Sequence, residues 1–358
     1  MNNVHRTLSD CAMRPHFAFR AALGILLVRS TAMFGQAPRV DVVPRDADRR
    51  VDIVVDGKPF TSYIYPTTVM KPVLFPLRAA DGIVVTRGFP LEPRPGERVD
   101  HPHHVGLWLN HSNVNGLDFW NNSYAIPEKD RPHMGTILHR AITKAQGGAG
   151  EGVLEVTSDW VKPDGKPLLR ESTRFVFRAA PSVRAIDRIT TLTAIDTTVT
   201  FHDNKDGMLG LRVRRELEQP ADKPEVFTDA SGRATAVPVL NNDGVTGRYR
   251  SAEGLEGDSV WSSRARWTML SGVVQGEPVT IAIFDHPSNY NFPTYWHARG
   301  YGLYAANPLG AKDFTQGKHV DDFALAPGKS TTFRYRILIL NGPVTREQIE
   351  ALYKDWSR

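Results

Sequence analysis

Residues 152–178 read GVLEVTSDWVKPDGKPLLRESTRFVFR, and this stretch has the pattern of a β-hairpin. Two runs rich in β-branched and aromatic residues flank Pro163-Asp164-Gly165, which is a strong turn signal. In the second run Phe175 and Phe177 alternate with other side chains, so both rings lie on the same face of a strand. The stretch therefore predicts an antiparallel pair with one buried face.

The same pattern recurs through most of the chain. Residues 51–55 and a run ending at Tyr65 flank Asp56-Gly57, a dipeptide typical of the type I′ turn of a hairpin. The further strand candidates are residues 137–142, 183–195, 209–217, 279–284 and 331–340. Because no helical pattern long enough to connect parallel strands separates them, we predict an all-β fold, a large antiparallel β-sandwich.

One helix is predicted, at the C-terminus. Thr345 as N-cap and Gln348 three residues later form a capping box. The apolar stripe that follows consists of Ile349, Leu352, Tyr353 and Trp356. The chain shows no internal repeat and no clear linker, and its 358 residues fit one large β domain, so we predict a single domain over residues 38–358.

The N-terminus has the features of a signal peptide. Arg14 and Arg20 precede the apolar run of residues 21–28, and small residues such as Ala32 and Ala37 follow at plausible cleavage positions. A run of this length is too short to span a bilayer, and the alternative is a buried helix of the mature fold. We expect residues 1–37 to be a signal peptide and the protein to be periplasmic or secreted, with no membrane span.

Cysteine content and charge narrow the range of partners. Cys11 is the single cysteine and lies in the predicted signal peptide, so the mature chain needs no disulfide. The formal net charge of +5 owes much to the arginines of residues 1–37, and the remainder is close to neutral with basic and acidic residues interspersed. No continuous basic stripe is available for phosphates, so nucleic acid is not an expected partner.

Residues 101–120, HPHHVGLWLNHSNVNGLDFW, are the most informative piece for function. Six of the twelve histidines fall between His101 and His139. Imidazole titrates near neutral pH and both donates and accepts hydrogen bonds, so clustered histidines can supply acid and base groups. The candidate catalytic residues here are His101, His103, His104 and His111. Asn113, Asn115 and Asp118 add directional polar groups while Trp108 and Trp120 offer flat apolar faces, a mixture that suits a polyol.

A second group with the same chemistry lies within residues 284–310. His297 joins the catalytic candidates. The substrate-binding candidates are Asp285, His286, Asn289, Trp296, Arg299 and Asn307, together with Arg87 ahead of the first motif. Two stretches of similar polar and aromatic character are most simply two walls of one pocket, so we expect them to converge.

Other interpretations of the histidines stay open. Any one of them can instead cap a turn or satisfy buried backbone groups. His101 and His103 would project to one side of a strand, which permits a metal site, although the chain has no HExxH motif and no acidic residue soon after the HxH pair. Whether a metal binds is left open, and no other cofactor is expected. Because no GxSxG, SxxK, nucleotide loop or cysteine nucleophile is present, the remaining chemistry is acid/base or metal-assisted.

The sequence resembles a bacterial family labelled "methane oxygenase PmoA". The resemblance covers roughly residues 50–356 and rests on HPHHVGLWLNHSNVNGLDFW, DGMLGLRV, IAIFDHPSN, FPTYWHARGYGLYAANPLG and FRYRILILNG, in that order. It implies an exported protein of polysaccharide-degrading bacteria whose fold is similar to the β-supersandwich of galactose mutarotase-like proteins. In such enzymes a histidine acid and a carboxylate base flank the sugar ring. His104, His111 or His297 can match the acid, and no glutamate occupies an evident position for the base.

The sequence thus predicts a carbohydrate-active enzyme, a hydrolase, lyase or epimerase that acts on a glycan or sugar derivative by histidine and carboxylate acid–base chemistry. One alternative is a non-catalytic glycan-binding protein, which would need the aromatic residues but not the histidines. The other is a metal-dependent oxygenase, as the family label suggests. In each of the first two cases the expected partner is a carbohydrate or another polyhydroxylated small molecule.

Overall fold

The computed structural model describes residues 37–358. Residues 1–36 of the predicted signal peptide, including Cys11, therefore lie outside the described residues. Ala37–Arg358 form one compact unit. None of the helices in this part of the chain is long and apolar enough to cross a membrane.

Strands dominate the described residues. They are, in chain order, β1 (Arg39–Arg45), β2 (Arg50–Val55), β3 (Lys58–Ile64), β4 (Val73–Leu74), β5 (Leu107–Leu109), β6 (Thr136–Gln146), β7 (Gly148–Ala149), β8 (Glu151–Val161), β9 (Pro167–Ala180), β10 (Val183–Ala194), β11 (Val199–Phe201), β12 (Leu209–Arg212), β13 (Arg248–Ser251), β14 (Trp267–Val274), β15 (Glu277–Asp285), β16 (Tyr295–Ala298), β17 (Leu303–Asn307), β18 (Phe323–Leu325) and β19 (Ser330–Asn341). The α-helices are α1 (Ala311–Phe314) and α2 (Arg346–Trp356). Short 3-10 helices occur at Asp46–Asp48, Glu128–His133, Arg215–Leu217 and Gly257–Val260.

The strands form two large sheets and one small pair. The first sheet has nine strands in the order β16-β17-β12-β5-β4-β3-β2-β1-β7, and the second has eight in the order β13-β14-β15-β19-β10-β9-β8-β6. The strands β11 and β18 form the small pair. Neighbouring strands pair antiparallel. The prediction of an all-β fold built as a large antiparallel sandwich is confirmed.

Local turn and cap signals were predictive. Asp56 and Gly57 have φ of 48° and 76°, the left-handed values that a type I′ turn requires between β2 and β3. Helix α2 begins after Thr345, and both hydrogen bonds of the predicted capping box with Gln348 are present. The strands β8 and β9 pair along their length as predicted.

Two details of the prediction were wrong. The strand predicted over residues 209–217 ends at Arg212, and a 3-10 turn follows. An ion pair of 2.8 Å between Arg215 and Glu218 spans that turn, because residues three apart meet in it. The single predicted helix is accompanied by α1, whose four residues are too few to produce a detectable hydrophobic period.

The two faces of the nine-stranded sheet have different roles near β5. Its inner face carries Leu107, Leu109 and Trp296 into the main core against the second sheet. Its outer face carries Trp108, which belongs to a separate apolar cluster beneath the loops. Alternation along each strand sends neighbouring residues to opposite faces. The candidate site is built on the outer face.

Candidate functional site

Strand register aligns residues from three motifs on the outer face. His297 lies opposite Ala305, Ala305 opposite Gly210, and Gly210 opposite Trp108. Residues directly opposite one another in antiparallel strands project to the same face. The sheet therefore places His297 and Trp108 on one surface, although they are far apart in sequence.

Two glycines of the segment DGMLGLRV make this packing possible. A Cβ at Gly210 would overlap the indole ring of Trp108, so the ring can cross the neighbouring strand only where the side chain is absent. A Cβ at Gly207 would overlap Nδ1 of His111 and crowd Oδ1 of Asn307. The segment thus accommodates side chains from the two histidine-containing motifs.

The loop formed by residues 202–207, which we call the 202–207 loop, is held by three side chains from these motifs. The bonds join His111 Nε2 to His202 O (2.8 Å), Asn307 Nδ2 to Asn204 O (2.8 Å) and His297 Nδ1 to Lys205 O (3.0 Å). Each is a hydrogen bond to a carbonyl oxygen, which can only accept. The motifs therefore converge on the backbone of one short loop.

These bonds define the protonation of both rings. In a neutral imidazole that donates from one nitrogen, the other nitrogen holds a lone pair. His111 therefore presents an unprotonated Nδ1, which is buried and has no hydrogen-bond partner among residues 37–358. Burial lowers the pKa of His111 to about 4, and burial likewise lowers the pKa of His297 to about 4. Both rings are neutral at pH 7.

The 202–207 loop presents Asp206 to a polar pocket. This pocket has a volume of about 420 Å³. It is lined by Ser112, Asn113, Gly116, Asp118, Asn121, His133, Met134, Asn204 and Asp206. The Asp206 side chain is 20% exposed, and its carboxylate contacts Lys205 Nζ at 3.3 Å. The amide of Ser112 donates to Asp206 O (2.8 Å), which fixes the loop against the first motif.

Asp118 and Ser112 differ in how free they are to bind a ligand. Asp118 Oδ1 accepts from the backbone amides of Trp120 (2.8 Å) and Asn121 (2.9 Å), and its Oδ2 accepts from Asn121 Nδ2 (2.8 Å). Asp118 therefore stabilises its own turn. In contrast, Ser112 Oγ is buried and has no hydrogen-bond partner in the described part of the chain. The pocket thus offers a carboxylate at Asp206, while the Ser112 hydroxyl is buried in the pocket wall.

Aromatic rings stack beside this region in what we call the histidine stack: His101, His104, Trp108 and Tyr301. The ring of His101 lies 5.0 Å from that of Tyr301 at 4° and 4.8 Å from that of His104 at 2°. His104 in turn stacks on Trp108 at 5.2 Å and 19°. The first motif and the second group of residues therefore meet directly at the rings of His101 and Tyr301, although neither the polar pocket nor its lining includes a residue of 284–310.

Two buried arginines fix the loop that carries the histidine stack. Arg87 donates to the carbonyl oxygens of Asp100 (2.7 Å) and His101 (2.8 Å), so its role is to hold this loop. Asp100 Oδ1 bridges Arg87 (2.8 Å) and Arg212 (2.6 Å). Burial acts to raise the pKa of Asp100, but Arg212 and the other positive neighbours lower it well below its usual range. Arg212 also contacts His104 Nδ1 at 3.3 Å.

His104 of the stack and the neighbouring His103 are neutral. Burial lowers the pKa of His104 well below its usual value, and burial lowers that of His103 to about 2. Because Arg212 can only donate, His104 Nδ1 accepts and Nε2 carries the proton. That Nε2 is buried without a partner among residues 37–358, and the same holds for Nε1 of Trp108. Trp120 packs against Trp108 at 5.1 Å and closes the outer side of the cluster.

Several predicted substrate-binding residues lie elsewhere or serve the backbone. Trp296 faces the core, and its Nε1 donates to Ala265 O (2.9 Å). Asn115 ties two backbone groups, donating to Thr198 O (3.0 Å) and accepting from Thr200 N (2.7 Å). Asn113, at φ 57°, lines the polar pocket while its side chain accepts from Gly116 N (3.2 Å).

The remaining members of the second group lie in two other places. Asp285 ends β15 of the eight-stranded sheet, and Asn289 donates to it (2.7 Å). His286 lies beside Trp356 of α2 with a ring separation of 5.1 Å. Arg299 lies beside the histidine stack, where its guanidinium group packs against the rings of Trp261 and Tyr301.

Within residues 37–358, no group of three or more histidine, cysteine, aspartate or glutamate side chains is arranged to hold a metal ion. His101 and His103 are close, with ring centroids 5.6 Å apart.

Comparison with protein families matches residues 50–354 to the "Family of unknown function (DUF6807)". The chain belongs to this family. No curated protein matches the sequence.

Solved structures similar to this DUF6807 protein have low identity. The galactosidase domain of an alpha-galactosidase-sucrose kinase is 8% identical with a TM-score of 0.40, covering 84% of this chain and 42% of that chain. An alpha-galactosidase from Lactobacillus brevis is 12% identical with a TM-score of 0.38, covering 82% and 40%. Galactose 1-epimerase from Lactobacillus acidophilus NCFM is 11% identical with a TM-score of 0.33, covering 86% and 100%. The chain spans about two fifths of the length of the two galactosidase chains.

Sequence reasoning missed Asp206, Arg212 and Lys71 in this DUF6807 protein. Asp206 and Arg212 both lie in DGMLGLRV, one of the quoted motifs, so that segment was a signal for them. Asp206 precedes Gly207, and Gly210 lies two residues before Arg212; glycines at such positions indicate backbone in close contact with other groups. Lys71 lies in no quoted motif and had no sequence signal.

Proposed function

We propose that this protein is a carbohydrate-active enzyme, a hydrolase, lyase or epimerase, that binds a glycan or sugar derivative in the polar pocket. Asp206 is its acid–base carboxylate. One observation carries the proposal: His111 from the first motif and His297 and Asn307 from the second group all donate to the backbone of the loop that presents Asp206. So much structural support for one short loop is expected where a reacting group must be held in place.

The pocket lining supports a polyhydroxylated ligand. Ser112, Asn121, His133 and Asn204 surround Asp206 with hydroxyl, amide and imidazole groups. Sugar hydroxyls both donate and accept, and such mixed polar groups satisfy them when water is displaced. A pocket for an apolar ligand would instead be lined mainly by aliphatic and aromatic side chains.

The proposed division of labour follows from the hydrogen bonds. His111 and His297 are positioning residues, because each uses one ring nitrogen to hold the 202–207 loop. Asp206 transfers the proton, and His133, an exposed imidazole in the same pocket, is the second proton-transfer group. Proton transfer between a carboxylate, an imidazole and a sugar is common to hydrolysis, elimination and epimerisation.

Asp206→Asn tests the proposal, because it removes the charge and keeps the shape. Oligosaccharides, including ones that contain uronic acids, would be incubated with the purified protein and screened by NMR for conversion to product. Rates of conversion would then be measured for the wild type and the variant. We expect Asp206→Asn to lower turnover by about a hundred- to ten-thousand-fold while calorimetry still detects sugar binding. Asp48→Asn, at an exposed position, is the matched control and should keep the wild-type rate.

Equal rates for Asp206→Asn and wild type would contradict the assignment of Asp206. Sugar binding without turnover in the wild type would favour the non-catalytic glycan-binding alternative. The label "methane oxygenase PmoA" corresponds to a third alternative, a metal-dependent oxygenase, which would require oxidised product and loss of activity with a chelator. We also propose that residues 1–37 direct export to the periplasm or the medium, where a glycan would be met.

A further inference from the structure

A second cavity, which we call the lysine cavity, has a volume of about 280 Å³. Its walls are less polar than those of the polar pocket. Its lining is mostly apolar and includes Val69, Leu91 and Val105. Lys71 and His103 also line it. It shares no lining residue with the polar pocket that contains Asp206.

Lys71 is a buried cation without an acidic partner. Its side chain is 2% exposed, and Nζ donates to the carbonyl oxygen of His103 (2.8 Å) and lies 5.4 Å from the centre of the Trp108 ring. In the described part of the chain Lys71 forms no ion pair. The nearest acidic influence is Asp118, whose oxygens are engaged by Trp120 and Asn121.

The environment of Lys71 disfavours its charge. Burial lowers the pKa of Lys71 to about 7, against an opposing influence of Asp118 that raises it. Removing an ammonium group from water is costly unless an opposite charge and hydrogen bonds replace the water. The backbone carbonyl of His103 supplies one of the three acceptors that an ammonium group can use. No other hydrogen bond of Lys71 Nζ is present among residues 37–358.

His103 adds a second polar group at the same wall. Its Nε2 is buried and has no hydrogen-bond partner in residues 37–358. Because burial lowers the pKa of His103 to about 2, the ring is neutral and carries one N–H. An ammonium group and an imidazole N–H together match the two oxygens of a carboxylate.

We infer that the lysine cavity binds a small monocarboxylate, whose carboxylate pairs with Lys71 Nζ and His103 and whose apolar body fills the space beside Val69, Leu91 and Val105. A monoanion matches the single cation, whereas a dianion such as phosphate would bury uncompensated charge among apolar walls. The volume lies just below the roughly 300–1,000 Å³ of sites for drug-sized ligands, so the ligand is small. This site is separate from the proposed sugar pocket.

Binding should depend on pH through Lys71. The other groups that face it are His103, Asp118 and, along an adjoining cavity, Arg49, His139 and Arg140. His103 has a pKa of about 2 and His139 one of about 4, so neither titrates above pH 6. Above pH 7 the free protein must take up a proton on Lys71 to pair with the carboxylate. The affinity should therefore fall, by up to about tenfold per pH unit.

The experiment compares hexanoate with hexan-1-ol, which has the same carbon chain and no charge. Calorimetry on the full-length protein would measure both ligands from pH 6 to pH 9. We expect saturable hexanoate binding that weakens above pH 7, and hexan-1-ol binding without that dependence. Lys71→Met should weaken hexanoate binding by about tenfold or more, because it removes a charge-assisted hydrogen bond. Lys166→Met, at an exposed lysine, should leave it unchanged.

Leu91→Trp provides a variant that keeps Lys71 and fills the cavity, so that the inference stays testable if Lys71→Met does not fold. It should weaken hexanoate and hexan-1-ol binding together. Absence of hexanoate binding to the wild type would overturn the inference. So would equal affinity in folded Lys71→Met, or a hexanoate affinity that is constant from pH 6 to pH 9. Asp206→Asn should bind hexanoate as the wild type does, so this test is independent of the proposed enzymatic function.

Discussion

Asp285 is a buried carboxyl group with no ion-pair partner in the described residues. It is 1% exposed and accepts from Asn289 Nδ2 (2.7 Å) and the amide of Thr294 (2.8 Å). Burial raises its pKa to about 7, although both hydrogen bonds act to lower it. The folded protein therefore holds a proton on Asp285 over a pH range in which an exposed aspartate has released it.

This proton makes stability depend on pH at a single residue. Below pH 3.8 both the folded and the unfolded state hold it, and between pH 3.8 and about 7 unfolding releases it. The contribution of Asp285 to the free energy of unfolding thus decreases as pH rises, by about 1.4 kcal/mol per pH unit and roughly 4 kcal/mol at most, and is lost above pH 7.

Asp285→Asn should remove this dependence. Asparagine keeps one acceptor oxygen and loses the other, a cost that does not change with pH. The free energy of unfolding of both proteins can be measured with denaturant at pH 4.5 and pH 7.5. The variant should therefore be more stable relative to the wild type at pH 7.5 than at pH 4.5. Because the two proteins differ only at residue 285, the contributions of all other titrating groups cancel in the difference between their free energies of unfolding. An identical difference between variant and wild type at both pH values would show that Asp285 is ionised in the folded state.

At the level of elements, the outer face of the nine-stranded sheet depends on Gly210. This residue lies in β12 between β17 and β5, where the Trp108 ring crosses it. Glycine in a strand normally weakens the strand, so its presence here indicates close contact with another group. The glycine leaves space for the Trp108 ring, on which His104 of the histidine stack packs.

Gly210→Ala should destabilise the protein by about 1–3 kcal/mol, because the new methyl group forces the buried Trp108 ring to move. Gly300→Ala is the matched control. A Cβ there meets Gln219 at 3.5 Å, an ordinary contact, so the change should be close to neutral. Denaturant unfolding of the two variants gives the comparison. Equal stability of Gly210→Ala and wild type would mean that the sheet can separate from Trp108 at little cost.

The elements also show how far sequence reasoning extends. The hairpin β8–β9 and the capped helix α2 were predictable because their signals lie within a few residues of one another. The histidine cluster of the first motif was visible for the same reason. In contrast, the bonds that hold the 202–207 loop join residues 91, 92 and 103 positions apart. Asp206 gains its place from these long-range contacts, which alternation and turn signals do not encode.

For the whole molecule, the buried histidines form a second pH-dependent system of opposite sign. Full or partial burial lowers the pKa of five histidines by a large amount, namely His103, His104, His111, His139 and His297, and lowers that of His286 by less. The values for His111, His139 and His297 are about 4, against 6.5 for an exposed histidine. A lowered folded pKa contributes stability that is fully present above pH 6.5 and is lost as pH falls toward the folded pKa.

The protein should therefore lose stability as the pH falls from 7 to 5. At pH 5 the unfolded chain protonates all five of these histidines and the folded protein keeps them neutral, while Asp285 retains one proton that unfolding releases. From these six groups, unfolding should then bind roughly four protons, and their contribution to the free energy of unfolding should fall by about 1.4 kcal/mol per pH unit for each proton. Denaturant unfolding at pH 7, 6 and 5 gives the slope directly, and calorimetry in buffers of different ionisation enthalpy counts the protons. A slope that corresponds to less than about one proton would show that these rings are charged in the folded protein at pH 5. The assignment of neutral tautomers to His111 and His297 would then be wrong.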